Sequence, residues 1–190
     1  MVDSTNRSLR TTFDEDAELY DKARPGYPAK LFDDLAALGG LGPGCRVLEI
    51  GAGTGKATVP IARRGCELVA VELGARMAAV AKRNLADCPN AQVLEADFET
   101  WPLPAEPFDL VVSATAFHWL DPAVRMVKAA QALRPGGFLA VVETHHVANP
   151  DNSFFVDVQS CYQRFDPDTR PGFRPPVAAD IPAPTSYSPV

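Results

Sequence analysis

The sequence predicts an α/β protein built on a doubly wound, mostly parallel sheet with helices on both faces. Three observations carry this expectation. Short apolar runs alternate with helix-patterned stretches along most of the chain, as right-handed strand-helix-strand crossovers require. The run Val47-Leu48-Glu49-Ile50 passes directly into Gly51-Ala52-Gly53-Thr54-Gly55-Lys56 and then into a helical pattern, which is the strand, glycine turn, helix order of a parallel unit. Polar side chains able to hold a ligand fall just beyond the predicted strands, where an open α/β sheet binds.

Length and composition bound the problem. A chain of 190 residues with 46% hydrophobic content forms one globular domain with a real core. A net charge of -6 argues against a broad nucleic-acid or anionic-membrane surface, so neither partner is expected. The first twelve residues are polar, and no run of about 18 apolar residues occurs, so a cytoplasmic protein is expected. Cys45, Cys66, Cys88 and Cys161 are scattered, without a Cys-x-x-Cys pair or a histidine at ligand spacing. Reduced thiols and no metal site follow.

In order along the chain, residues 1–12 are expected to be disordered. Acidic residues open a helix over 14–22, where the helix dipole favours them, and Pro25-Gly26-Tyr27-Pro28 forces a turn. Leu31, Phe32, Leu35 and Leu38 share one helical face, and Gly39-Gly40 supplies a C-cap. After the glycine turn, strands are predicted at 66–72, 91–95, 108–113 and 138–144, with helices at 75–86 and 122–133 between them. The domain spans 13–146, with a helical amino-terminal segment at 13–40. Prolines recur through 147–190, a partial cap segment or tail in which only 153–165 reads as helix.

The three glycines let backbone turn without a Cβ and let a ligand press on main chain beside a helix start. A dinucleotide fingerprint places its third glycine where this chain has Lys56, which weakens a nicotinamide reading. Glu72 ends the second strand about 20 residues after the turn, where an acid can accept hydrogen bonds from two ribose hydroxyls. Asp97 can accept from an adenine amino group while Phe98 covers the ring; the alternative is a turn cap beside a core aromatic. Glu49 sits inside an apolar strand and needs a cation, such as a ligand ammonium or Arg24, or several local N–H donors.

Together these segments resemble class I S-adenosylmethionine-dependent methyltransferases of the small-molecule type. Residues 49–55 are similar to motif I, Val69-Ala70-Val71-Glu72 to the acidic strand end and 94–98 to the adenine-side motif. Residues 108–113 are similar to the fourth strand, and Leu133-Arg134-Pro135-Gly136-Gly137 to the turn before the fifth. Tyr20, Arg24 and the His118-Trp119-x-Asp121 stretch resemble a subgroup with a helical lid. The resemblance implies a Rossmann-like, three-layer α/β/α fold. It implies S-adenosylmethionine held by Tyr20, Arg24, Glu49, Gly51, Ala52, Gly53, Gly55, Glu72, Leu73, Asp97, Phe98, Ser113 and Ala114, with S-adenosylhomocysteine as product. The sulfonium methyl passes by in-line displacement to a small-molecule acceptor. His118, beyond the fourth strand, is the candidate general base; capping a helix or packing beside Trp119 are its other roles. His145 and His146 also follow the fifth strand.

Members of this family continue into an antiparallel carboxyl-terminal hairpin beside the fifth strand, and nothing here reads as those strands. The apolar fifth strand is then an edge that invites pairing with a second copy of the chain. Two other functions compete with methyl transfer: a cofactor-binding protein without turnover, and a nicotinamide-dependent oxidoreductase.

Overall fold

The computed structural model describes residues 14–145, 147, 153–166 and 176–180. The expectations for 1–12, for His146 and for most of the proline-rich tail lie outside the described residues. Those through 143 form one unit and those from 144 onward a second.

The first unit opens with α1 (Ala17–Ala23), capped by Asp16, whose carboxylate accepts from Leu19 N at 3.0 Å. The acidic run before it thus forms a turn and a cap, and the helix starts three residues later than expected. Pro28 precedes α2 (Ala29–Gly39), which ends at Gly40 in the left-handed conformation (φ 71°). There the N–H of Gly40 returns to Ala36 O and that of Leu41 to Leu35 O. Next come β1 (Arg46–Ile50), α3 (Thr58–Ala62), β2 (Glu67–Glu72), α4 (Ala75–Asn84), β3 (Ala91–Glu95) and β4 (Phe108–Ala114). A single 3-10 turn at Phe117–Trp119, α5 (Pro122–Ala132) and β5 (Leu133–Val142) complete the unit.

Every strand pairing is parallel, in the order β3-β2-β1-β4-β5. Alternate side chains feed two cores. On one face Val47, Leu68, Ala70, Leu110 and Val112 pack with Phe32, Ile61 and Ala81. On the other Leu48, Ile50, Val71 and Val111 pack with Phe98, Phe117 and Ala129. The layering is helices, sheet, helices, as the periodicity predicts.

β5 departs from its expected limits. Leu133 already pairs with Phe108, and regular pairing resumes only at Phe138 opposite Leu110, so Arg134-Pro135-Gly136-Gly137 bulges out of the ladder. A Cβ on Gly137 would lie 2.9 Å from Asp109 O, so only glycine lets the bulge close. Among the described residues β5 is the sheet edge, with Phe138 53% and Val141 42% exposed. The second unit contains α6 (Phe154–Phe165), one residue shorter than expected, and a 3-10 turn at Ala178–Asp180.

Asp109 holds the amino ends of three strands together. Its Oδ2 accepts from Arg46 N on β1 at 2.7 Å, and its Oδ1 pairs with Arg134 Nε on β5. The Arg134 guanidinium beside it holds the carboxyl below its usual range. Its charged form therefore stabilises the fold above the unfolded-state value, and that contribution is lost as pH falls through the lower folded value. Asp109→Ala is expected to cost about 1–3 kcal/mol in urea unfolding at pH 7. The difference from the wild type should shrink in acid.

Candidate functional site

Strand order reverses between β1 and β4, and the carboxyl ends of these two strands frame the crevice where such sheets take ligands. The glycine turn leaves β1 there. Gly51, Gly53 and Gly55 are all left-handed (φ 74°, 58° and 91°). A Cβ on Gly51 would stand 2.4 Å from that of Ala116, so Gly51 is what lets the segment after β4 come close. A Cβ on Gly53 would meet only Met77 Cε, at 3.6 Å, and nothing else within 4 Å, so its main chain remains open to approach.

Glu72, at the end of β2, is oriented by that turn. Its Oε2 accepts from Gly53 N at 2.7 Å and its Oε1 from Gly74 N at 2.8 Å. Burial raises its pKa, while the Gly74 and Gly53 N–H groups pull the other way. Each oxygen keeps a further lone pair for a hydroxyl. The adjoining Leu73 is 36% exposed at the strand end, an apolar surface beside an acid.

Glu49 is 1% exposed, on the α3 face of β1. Its Oε2 has no hydrogen-bond partner among the described residues. Burial pushes the carboxyl up to about 8; the Thr58 hydroxyl opposes the rise and the Glu72 charge adds to it. Among the described residues neither Arg24 nor a backbone N–H reaches Glu49 Oε2; the guanidinium of Arg24 meets Thr115 Oγ1 instead, at 3.5 Å.

The amino-terminal segment closes one side of the site. α1 packs Ala17 against Met77 and Val80 of α4, with Tyr20 alongside. Glu18 pairs with Arg83 at 2.7 Å, and Asp14 Oδ1 accepts from Met77 N at 2.9 Å, a cap supplied to α4 from 63 residues away. Asp21 pairs with Lys56 at 3.1 Å, and Asn84 Nδ2 donates to Thr54 O at 2.9 Å. The lysine in the third-glycine slot therefore fastens α1 to the glycine turn. Burial raises the pKa of the Tyr20 phenol; Arg24 opposes this, and Tyr27 and Glu72 add to it. Arg24 lies 6.0 Å from the Tyr20 ring centre.

The remaining expected residues are placed as follows. Ala52 and Ala114 are buried at the ends of β1 and β4. Ser113 is fully buried, and its hydroxyl donates to Ile50 O at 3.0 Å, tying β4 to β1. Asp97 caps the turn after β3, accepting from Glu99 N at 3.0 Å. Phe98 is 3% exposed and packs into the core, with Lys128 Nζ 5.5 Å from its ring centre. The turn cap and the core aromatic are thus both present. His118 is exposed, its ring 4.8 Å from that of Trp119. His145 follows β5 and is exposed.

Residue type gave no warning of Thr115. It has φ 54°, a left-handed backbone that costs a β-branched residue about 1–2 kcal/mol. Its hydroxyl lies 2.7 Å from the Tyr27 phenol oxygen and 2.8 Å from Ala114 O, and its N–H donates to Val142 O at 2.8 Å.

Cys45, Cys66 and Cys88 are buried free thiols and Cys161 an exposed one; burial pushes Cys66 to about 11. Among the described residues no three His, Cys, Asp or Glu side chains gather as a metal site. Among the described residues no helix is long and apolar enough to cross a membrane.

The family model described as a methyltransferase domain matches residues 48–141. An uncharacterised methyltransferase of Mycobacterium tuberculosis is 36% identical over 138 residues, covering 73% of this chain and 54% of the relative. One from Geobacillus kaustophilus is 33% identical over 147 residues, covering 73% of this chain and 67% of the relative. The chain thus spans about half the length of the mycobacterial relatives it matches. In structure it resembles the CcbJ methyltransferase of Streptomyces caelestis (TM-score 0.56, 26% identity, 70% of this chain and 57% of that one). It also resembles the glycopeptide N-methyltransferase MtfA in complex with S-adenosylmethionine (TM-score 0.50, 27% identity, 60% and 51%).

The raised Glu49 carboxyl sets a pH dependence. Folding favours its protonated form, so its contribution to stability is full below about 4.5 and is lost as pH rises toward about 8. Glu49→Gln is expected to flatten that slope and to stabilise the ligand-free protein at pH 8 by a few kcal/mol in urea unfolding, of order 1.4 kcal/mol per pKa unit.

Proposed function

The chain belongs to the methyltransferase domain family, and from that premise we propose that it transfers the methyl group of S-adenosylmethionine to a small-molecule acceptor. The observation that carries the reading is the Glu72 carboxylate, locked to Gly53 and Gly74 at the crevice with acceptor capacity left for ribose hydroxyls. Three further features fit the same cofactor. The glycine turn leaves main chain open at Gly53, Leu73 offers an exposed apolar surface for an adenine, and Glu49 is a buried carboxyl lacking the cation its position asks for. The ammonium of the methionine moiety is a cation of the required kind. MtfA, bound to the same cofactor, lends the reading independent support.

When bound, S-adenosylmethionine supplies an activated sulfonium methyl that a nucleophile takes in line. The protein then has to orient and to exclude water. Glu72 and the glycine turn fix the nucleoside end, and Tyr20 and Arg24, on the segment tied down by Asp21 and Lys56, shield the other end. His118, exposed on the turn after β4, is our candidate for the acceptor side, where it takes the proton from a hydroxyl or amine nucleophile.

Incubation with S-adenosylmethionine and a panel of hydroxyl, amine and thiol acceptors should release S-adenosylhomocysteine with at least one of them. Binding without release from any acceptor would favour a protein that holds the cofactor without turnover. Glu72→Ala should weaken cofactor binding by about 1–3 kcal/mol in calorimetric titration. Gly53→Val should abolish binding in a protein that remains folded by circular dichroism, because it sets a branched side chain where the ligand meets main chain.

A further inference from the structure

The segment from Asp14 to Tyr27 touches both walls of the crevice. On the β2 side it is fastened by Asp14 to Met77 N, Glu15 O to Arg76, Glu18 to Arg83 and Asp21 to Lys56. Beyond α1 it crosses to the β4 side, where Tyr27 Oη meets Thr115 Oγ1 at 2.7 Å and Ala114 O at 3.2 Å, and Arg24 reaches the same Thr115 hydroxyl. Pro25 and Pro28 limit the freedom of the stretch that carries both side chains. The crossing converges on the one described non-glycine residue with a left-handed backbone. Glycine would sit there without strain; what threonine adds is a hydroxyl placed at the crossing. The hydroxyl can accept from Arg24 and Tyr27 while donating to Ala114 O, which uses its full capacity.

We propose that Thr115 is a positioning residue for the cofactor site: its hydroxyl, presented by a strained left-handed backbone, anchors Tyr27 and Arg24 so that residues 14–27 form a strap across the crevice. The inference rests on the S-adenosylmethionine reading and deepens it, because the strap holds the guanidinium and the Tyr20 ring assigned to the cofactor. Thr115 itself need not touch the ligand. Its effect should appear in how long the cofactor stays bound, since a strap that opens more often lets ligand leave.

The test is stopped-flow dissociation of S-adenosylhomocysteine from four proteins: wild type, Thr115→Gly, Thr115→Ser and Tyr27→Phe. Thr115→Gly removes backbone strain along with the hydroxyl, so the variant stays folded. Thr115→Gly and Tyr27→Phe should each speed release about tenfold, the scale of one lost hydrogen bond. Thr115→Ser should restore the wild-type rate to within about threefold, and the double variant Thr115→Gly/Tyr27→Phe should release ligand more slowly than the product of the two single effects, because both remove the Tyr27–Thr115 contact while each also removes one of its own, Arg24 to Thr115 and Tyr27 to Ala114 O. Wild-type release from Thr115→Gly, or losses that multiply in the double variant, would overturn the proposal. If the wild type binds no S-adenosylhomocysteine, the cofactor reading fails, and hydrogen exchange in residues 17–27 decides the strap separately. Faster exchange in Thr115→Gly and Tyr27→Phe but not in Thr115→Ser supports the strap, and unchanged exchange overturns it.

Discussion

The two hydrogen bonds from backbone N–H groups to the Glu72 carboxylate are the constraint on which the rest of the site depends. One donor belongs to the turn after β1 and the other to the residue before α4, so a single side chain sets the spacing of the two loops that would hold a nucleoside. That arrangement rests on the left-handed backbone of Gly53, which glycine adopts without strain and which aims its N–H at the strand end. The parallel register of β1 and β2, with Ile50 opposite Val71, delivers both loops to the same edge of the sheet. Sheet order, glycine turn and acid are thus one geometric unit.

The amino-terminal segment is held by a different kind of force. Its ion pairs to Arg83 and Lys56 are exposed or half-exposed and each contributes little in water. Burial of Ala17 against Met77 and Val80, and the Asp14 cap on α4, add short-range terms that salt does not screen. Such a segment can be stable when docked and still open on the timescale of ligand exchange.

Much of this was legible in the sequence because it depends on periodicity and local turn chemistry. Apolar runs marked all five strands, and β3 falls at its expected limits. The acid at Glu72 and the glycines at 51, 53 and 55 marked, through residue type alone, the strand end and the turn that the structure joins by a hydrogen bond. What stayed hidden depends on long-range placement. Nothing local says that Phe98 turns its ring into the core, that the Ser113 hydroxyl is used by Ile50 O, or that Asp14 caps a helix from 63 residues away. Pro135-Gly136-Gly137 reads as a turn before a strand, yet pairing of Leu133 with Phe108 makes it a bulge within one. Thr115 ran against expectation, since β-branched residues avoid the conformation it adopts.

The central claim is that the glycine turn and Glu72 form a site for S-adenosylmethionine and not for a nicotinamide dinucleotide. Calorimetric titration of the 190-residue chain with S-adenosylmethionine, S-adenosylhomocysteine and NADH tests it most directly. Saturable binding of both sulfur compounds at one site per chain, with no heat from NADH, is the result this account predicts. Binding of NADH, or the absence of any binding by a chain shown to be folded, would contradict it.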